Sequence, residues 1–213
     1  MLATMTNTNT TTDSRVLFGH GVAIAREVIA GVEPAQLTAP TPCTDYDVRE
    51  LLGHLVHVLE RVAVIGRGED PFSVAPPEVP GDDGWVAAWD AAAARAREVW
   101  ADDAVMARTI VLPWSQVSGS ETLLGYLSEI LVHTWDLATA TGQPLEVPDE
   151  VVEAAFGAIR ATLPGGERTE FFAEFAKSMP ELGDFTPPFA DEVPTAADAP
   201  LLDRLVAWNG RRP

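Results

Sequence analysis

Apolar residues recur every three or four positions through most of this chain, the period of helices with one face buried. From Asp13 to Ala30 the apolar set includes Val16, Leu17, Val22, Ile24, Val28 and Ile29, and Gly31 is a plausible stop. A second helix is expected to start at Thr44, with Asp47 three residues on as a variant capping box, and to run to about Ile65 before Gly66-Arg67-Gly68. A third, rich in alanine and carrying Trp85, Trp89 and Trp100, is expected from Asp82 or Asp83 to Trp100 or Ala101. Arg108 to Leu112 has β-branched character and reads as a short extended segment before Pro113. The fourth long helix is expected from Ser120 to Thr141, closed by Gly142. Shorter helices follow: Asp149 to Thr162 with Asp149 as cap, Glu167 to Lys177 after the Gly165-Gly166 break, and Ala199 to Trp208. Pro180 to Pro200 reads as mostly irregular.

Four long amphipathic segments joined by short connections predict an all-α fold, an up-down four-helix bundle. Extra short C-terminal helices and an irregular Pro-rich tail would cover one side. Residues 1–12, a run rich in Thr and Asn, are expected to be a disordered tail, and residues 13–213 a single domain whose extension from about 148 packs on the bundle.

Composition narrows the function classes. The formal net charge of −18 argues against nucleic acid and anionic membranes, which are recognised through basic patches. The lone cysteine, Cys43, excludes an internal disulfide and a thiolate zinc cluster. No signal peptide is legible at the N-terminus, and no apolar run reaches bilayer length, so a cytoplasmic location is expected.

The chain holds only four histidines. On the second helix, Val48, Leu51, Leu55, Val58, Leu59 and Val62 form one apolar face at about 100° per residue. His54 lies at the border of that face, whereas His57 falls further out beside Glu50 and Arg61 and reads as a surface residue. A core-edge histidine with a satisfied hydrogen bond explains His54 as well as a ligand does. The fourth helix is apolar around most of its circumference, which predicts burial. Past Glu121, its ionisable groups are Glu129, His133 and Asp136, within an arc of roughly 60°. Buried charges must pair, bind an ion or line a wet cavity. Spacing alone favours the plain explanation, a solvated stripe or a Glu129–His133 pair at i,i+4. His20 reads as a surface residue, Cys43 as a small buried residue beside a helix cap, and Trp85, Trp89, Trp135 and Trp208 as packing residues.

The stretch Thr41-Pro42-Cys43-Thr44-Asp45-Tyr46-Asp47-Val48-Arg49-Glu50-Leu51-Leu52-Gly53-His54 resembles the second-helix signature of the DinB-like bundle proteins. It is closest to the branch related to the N-terminal domain of mycothiol-dependent maleylpyruvate isomerase. Glu129 to Gln143 resembles the matching fourth-helix signature, and Ala199 to Pro213, ending Gly-Arg-Arg-Pro, resembles the close of metal-binding members of that branch. The resemblance implies a four-helix bundle holding one divalent metal, usually zinc, on His54, Glu129 and His133. Nickel or iron is compatible with two imidazoles and a carboxylate.

On that resemblance the expected function is a zinc-dependent thiol transferase or isomerase. A cation at the site favours the thiolate of a low-molecular-weight thiol of the mycothiol type. Asp136 would orient a ligand. Two alternatives stand: a non-catalytic binding or regulatory bundle with a structural metal or none, and a metal-dependent hydrolase. The expected partners are a small-molecule thiol or electrophile, and a second copy of the chain in a homodimer. The catalytic residues, and the roles of Cys43 and of 180–200, have no signature in the sequence.

Overall fold

The computed structural model describes residues 12–75, 77–78, 81–112, 115–178 and 187–213. The expected tail over 1–12 lies outside them except for Thr12, and so does the first part of the Pro-rich segment. The described elements are helices α1 (Ser14–Ala30), α2 (Val48–Arg67), α3 (Trp85–Trp100), α4 (Asp103–Ala107), α5 (Gly119–Thr141), α6 (Asp149–Thr162), α7 (Thr169–Ser178) and α8 (Leu201–Trp208). Strands β1 (Thr109–Leu112) and β2 (Ser115–Ser118) form one antiparallel pair, with Ile110 opposite Val117. The fold is all-α and DinB-like, with the strand pair as a small addition.

Helices α1, α2, α3 and α5 make the bundle. α1 and α2 each pack on both α3 and α5, which sets α1 diagonally across from α2. α6 lies against α5 and α1, and α8 against α6 and α5. Leu51, Leu55, Val58, Leu59 and Val62 of α2 are fully buried, as are Leu127, Ile130, Leu131 and Leu137 of α5. The apolar face read from the α2 sequence is therefore the face that meets the core. α5 is buried nearly all round because α6 and α8 cover the side the bundle leaves open.

Two tryptophans of α3 lock it to its neighbours through their ring N–H groups. Trp89 Nε1 donates to Val22 O of α1 at 3.2 Å, and Trp100 Nε1 donates to Val62 O of α2 at 2.9 Å. A buried indole needs such a partner. Each takes a carbonyl on a neighbouring helix.

Several helix ends differ from expectation: α3 begins at Trp85 rather than Asp82 or Asp83, α7 and α8 begin two residues later than expected, and three caps differ as well. α2 is capped by Asp47, not Thr44: the Asp47 carboxylate accepts from Glu50 N, and Glu50 accepts from Asp47 N. Thr44 stays in the preceding loop, because Val48 N and Arg49 N are drawn back to Ala39 O and Leu37 O. α5 starts at Gly119, one residue earlier than expected, with Ser118 as its cap and Ser118 and Glu121 forming the box. α6 begins at Asp149 itself, and Pro148 is its cap residue without a side-chain bond. α4 is too short for a helical period to show, and β2, Ser-Gln-Val-Ser, lacks the β-branched run that marks β1.

The C-terminal extension is gathered by Arg168, which is 1% exposed. Its guanidinium donates to Pro164 O, Ala190 O and Trp208 O, and its backbone N–H donates to Asp191. One buried cation thus ties the start of α7, the 190s and the end of α8 together. None of the described helices is long and apolar enough to cross a membrane.

The start of α5 runs against α4 with no room for a side chain. A Cβ on Gly119 would sit 2.1 Å from Val105 O and 3.0 Å from Met106 Cα. Backbone atoms cannot rotate away. Gly119→Ala is expected to destabilise the chain by about 1–3 kcal/mol in urea unfolding, whereas Gly125→Ala, with open space around it, is expected to be neutral or stabilising.

Candidate metal centre

The loop before α2 and the middle of α5 build one polar site in an otherwise apolar interior. Thr41 folds the loop over: its hydroxyl lies 2.8 Å from both Cys43 O and Tyr46 O. A turn follows, with Tyr46 N donating to Cys43 O. This brings Cys43 and Tyr46 to the first turns of α2. The Tyr46 ring stacks on His54 with centroids 5.0 Å apart, and its hydroxyl lies 3.4 Å from His54 Nδ1.

His54 of α2 faces His133 and Glu129 of α5. The two imidazoles meet edge to face, with centroids 4.6 Å apart. His54 Nε2 lies 3.3 Å from Glu129 Oε1. That contact lacks hydrogen-bond geometry, and Nε2 is buried with no partner. His54, Glu129 and His133 each present a donor atom within 4.8 Å of the others. A tetrahedral ion with bonds of about 2.0–2.2 Å needs donors roughly 3.5 Å apart, and the three atoms here fall within 4.8 Å.

Asp136 is fully buried and held from two sides. His133 Nδ1 donates to Asp136 Oδ2 at 3.1 Å. A carboxylate only accepts, so the proton sits on Nδ1 and the neutral ring keeps its lone pair on Nε2. Arg211, from the segment after α8, donates from Nε to Oδ1 at 3.1 Å and from NH2 to Oδ2 at 2.8 Å. NH1 of the same side chain donates to Asn209 O.

Charge states follow from these contacts. Burial alone would raise the Glu129 carboxyl, but His54, with Arg61 and His133 near it, pulls it down to about 2. Burial pushes the His133 imidazole down despite Asp136, which favours the neutral ring. Burial also opposes the charge on Asp136, and the bonds from His133 and Arg211 outweigh it and lower its pKa. The Cys43 thiol is raised, by burial first, against the pull of Arg211.

Two observations fit a divalent cation here. The buried Nε2 of His54 has no hydrogen-bond partner, and the donor set of two imidazoles and one carboxylate suits zinc, nickel or iron over magnesium or calcium. The three residues expected as ligands converge from two helices, and Asp136 bonds His133. His57 is not the plain surface residue the helical wheel predicts: it is half-buried, with Nδ1 enclosed. His20 is exposed. Sequence reasoning missed three participants. Cys43 comes close enough to His133 and Asp136 to form a second potential donor group. Tyr46 and Arg211 sit outside helices, where no periodicity shows which way a side chain faces.

The family model of the mycothiol maleylpyruvate isomerase N-terminal domain matches residues 18–138. The chain belongs to that family. The matched stretch contains His54, Glu129, His133 and Asp136, and stops before Arg211. Two proteins from two strains of Mycobacterium tuberculosis, both named as uncharacterized, are each 34% identical over 185 residues, covering 86% of this chain and 90% of theirs. The crystal structure of the mycothiol-dependent maleylpyruvate isomerase superposes with a TM-score of 0.53 at 16% identity, over 66% of this chain and 65% of that one. At that identity the likeness establishes the shared bundle fold.

Asp136 and Arg211 are 0% and 10% exposed. Replacing Asp136 with Asn leaves a buried guanidinium without its counter-charge. Asp136→Asn and Arg211→Met are each expected to cost about 3–5 kcal/mol in chemical denaturation, because each leaves the other charge buried without its partner.

Proposed function

We propose that this chain is a metal-dependent thiol transferase or isomerase. A divalent cation, zinc first, would be held by His54, Glu129 and His133, and a low-molecular-weight thiol of the mycothiol type would be the co-substrate. The observation that carries the reading is the convergence of two imidazoles and a carboxylate from facing helices, with His54 Nε2 buried beside Glu129 but without a hydrogen bond. Membership of the mycothiol maleylpyruvate isomerase N-terminal family supports the thiol.

When bound, a divalent cation supplies Lewis acidity that favours the deprotonated form of a thiol. The chain's own residues prepare for it. Asp136 holds the His133 proton on Nδ1, so Nε2 is free to act as a donor atom. Arg211 keeps Asp136 ionised and in place. Tyr46 covers the His54 ring and limits its rotation. Glu129, ionised at neutral pH, contributes the one negative charge of the set. The apolar residues around it, Ile130 and Leu131 among them, keep the surroundings low in polarity, which strengthens charge interactions.

Elemental analysis of untagged protein is expected to give about one zinc per chain, lost in the His54→Ala/His133→Ala double variant. Equal metal content in both would overturn the ligand assignment. With a mycothiol-type thiol and a small electrophile, turnover is expected to stop on chelation, return with zinc, and fall at least 100-fold in His133→Ala. Full metal content without thiol turnover or thiol binding would leave a structural metal in a binding protein.

A further inference from the structure

Helix α6 turns one side to α5, α1 and α8 and leaves the other to solvent. Val151, Val152, Ala155, Phe156 and Ile159 are buried. Glu150, Glu153, Gly157, Arg160 and Ala161 are exposed, within an arc of about 100°. This outer face is acidic in its first half, bare at its centre and basic in its second half.

The basic end is braced. The Arg160 guanidinium lies 5.3 Å from the ring centroids of both Phe156 and Trp208, and that of Arg204, on α8, lies 5.6 Å from Phe156. The two rings meet edge to face with centroids 5.8 Å apart. Two guanidiniums therefore share one aromatic floor, and stacking restricts their rotamers before anything binds. Among the described residues no ion pair involves Arg160, Arg204, Glu150 or Glu153. That is unusual for two arginines in a chain with 32 acidic residues against 14 basic ones. The helix dipole accounts for Asp149 and Glu150 in the first turn of α6, but it fades within one turn. It calls for neither Glu153 nor a second cation from α8.

At the centre, Gly157 carries no left-handed backbone that would require glycine. A Cβ there would meet nothing within 4 Å. Glycine weakens a helix relative to alanine, and no neighbour within the chain needs it here. What its bare surface permits is the close approach of another helix, since the side chains at a crossing set the distance between axes.

A helix face whose charge reverses about its midpoint is complementary to itself when turned end for end. Two copies related by a two-fold axis meet in that way, residue i on j and j on i. An antiparallel pairing centred beside Gly157 sets position 160 of each copy opposite position 153 of the other. We infer that the outer face of α6 is a self-association surface, on which a second copy of this chain docks antiparallel, with each Arg160 paired to Glu153 of the other copy and Gly157 at the crossing. This inference does not rest on the metal or on the thiol. A net charge of −18 on each copy opposes association at long range. At an ionic strength of about 0.15 M, charges further apart than about 8 Å are largely screened, and the contacting pairs then decide. A small polar contact of this kind belongs to the weak, reversible class of interfaces.

The test is sedimentation of the full, untagged chain over a range of concentrations at about 0.15 M salt. A monomer–dimer equilibrium is expected. Glu153→Arg and Arg160→Glu are each expected to weaken it about tenfold or more, through like charges placed face to face. For Glu153→Arg this runs against the change in net charge, which falls in magnitude and by itself favours association. The combined Glu153→Arg/Arg160→Glu variant reverses both members of the pair and is expected to regain most of the lost affinity. Gly157→Leu is expected to weaken the dimer about tenfold, with the melting temperature of the dilute, monomeric chain unchanged or raised. A residue that served only the helix would not give that split. The His54→Ala/His133→Ala variant is expected to dimerise like the parent chain. A chain that stays monomeric at about millimolar concentration, a dimer indifferent to the single reversals, a double reversal no better than either single one, or a dimer lost in the metal-ligand variant overturns the inference.

Discussion

Burying an ionised carboxylate is costly unless N–H donors or a counter-charge replace the lost water. Asp136 has both, and that double restraint organises much of the molecule. Arg211 closes one side of the carboxylate and His133 the other. The segment after α8 is therefore fastened to the middle of α5, and the His133 ring is fixed in one tautomer. The same contact that seats the end of the described chain also sets which nitrogen of His133 faces His54 and Glu129. Stability and site geometry share a single buried ion pair.

The bundle supplies the rigidity this arrangement needs. Trp89 and Trp100 hold α3 against α1 and α2 by hydrogen bonds as well as packing. Gly119 lets α5 start hard against α4. Glu129 and His133, one turn apart on α5, keep their spacing because the helix is buried on nearly every side. The opposing His54 is placed by a helix whose apolar face is fully engaged. The loop over the site is more irregular, yet Thr41 folds it tightly enough to lay Tyr46 on His54.

The distribution of charge along the α2–α5 seam gives the site a direction. Asp136 and Arg211 neutralise each other at one end. Glu129 sits among two imidazoles in the middle, and Arg61, further along α2, adds positive charge on its far side.

The helices were legible because burial imposes a period, and the period survives in the sequence. The apolar arc of α2 marked His54 as inward, and the scarcity of charge on α5 marked Glu129, His133 and Asp136 as a group. Cap positions were less legible. Thr44 and Asp47 are both good caps, and the choice fell to Asp47 because the loop's own hydrogen bonds to Ala39 and Leu37 hold Thr44 away. His57 looked exposed on an isolated helix and is half-buried in the bundle, since a wheel cannot show what neighbouring elements cover. Arg211, Tyr46 and Cys43 lie outside any helix, so no periodicity fixed where their side chains point. The sequence by itself determined which residues had to be inside and which polar groups had to travel with them. Only the tertiary structure decided which of those groups meet, because contacts across more than seventy residues depend on how whole helices pack, and packing leaves no local pattern to read.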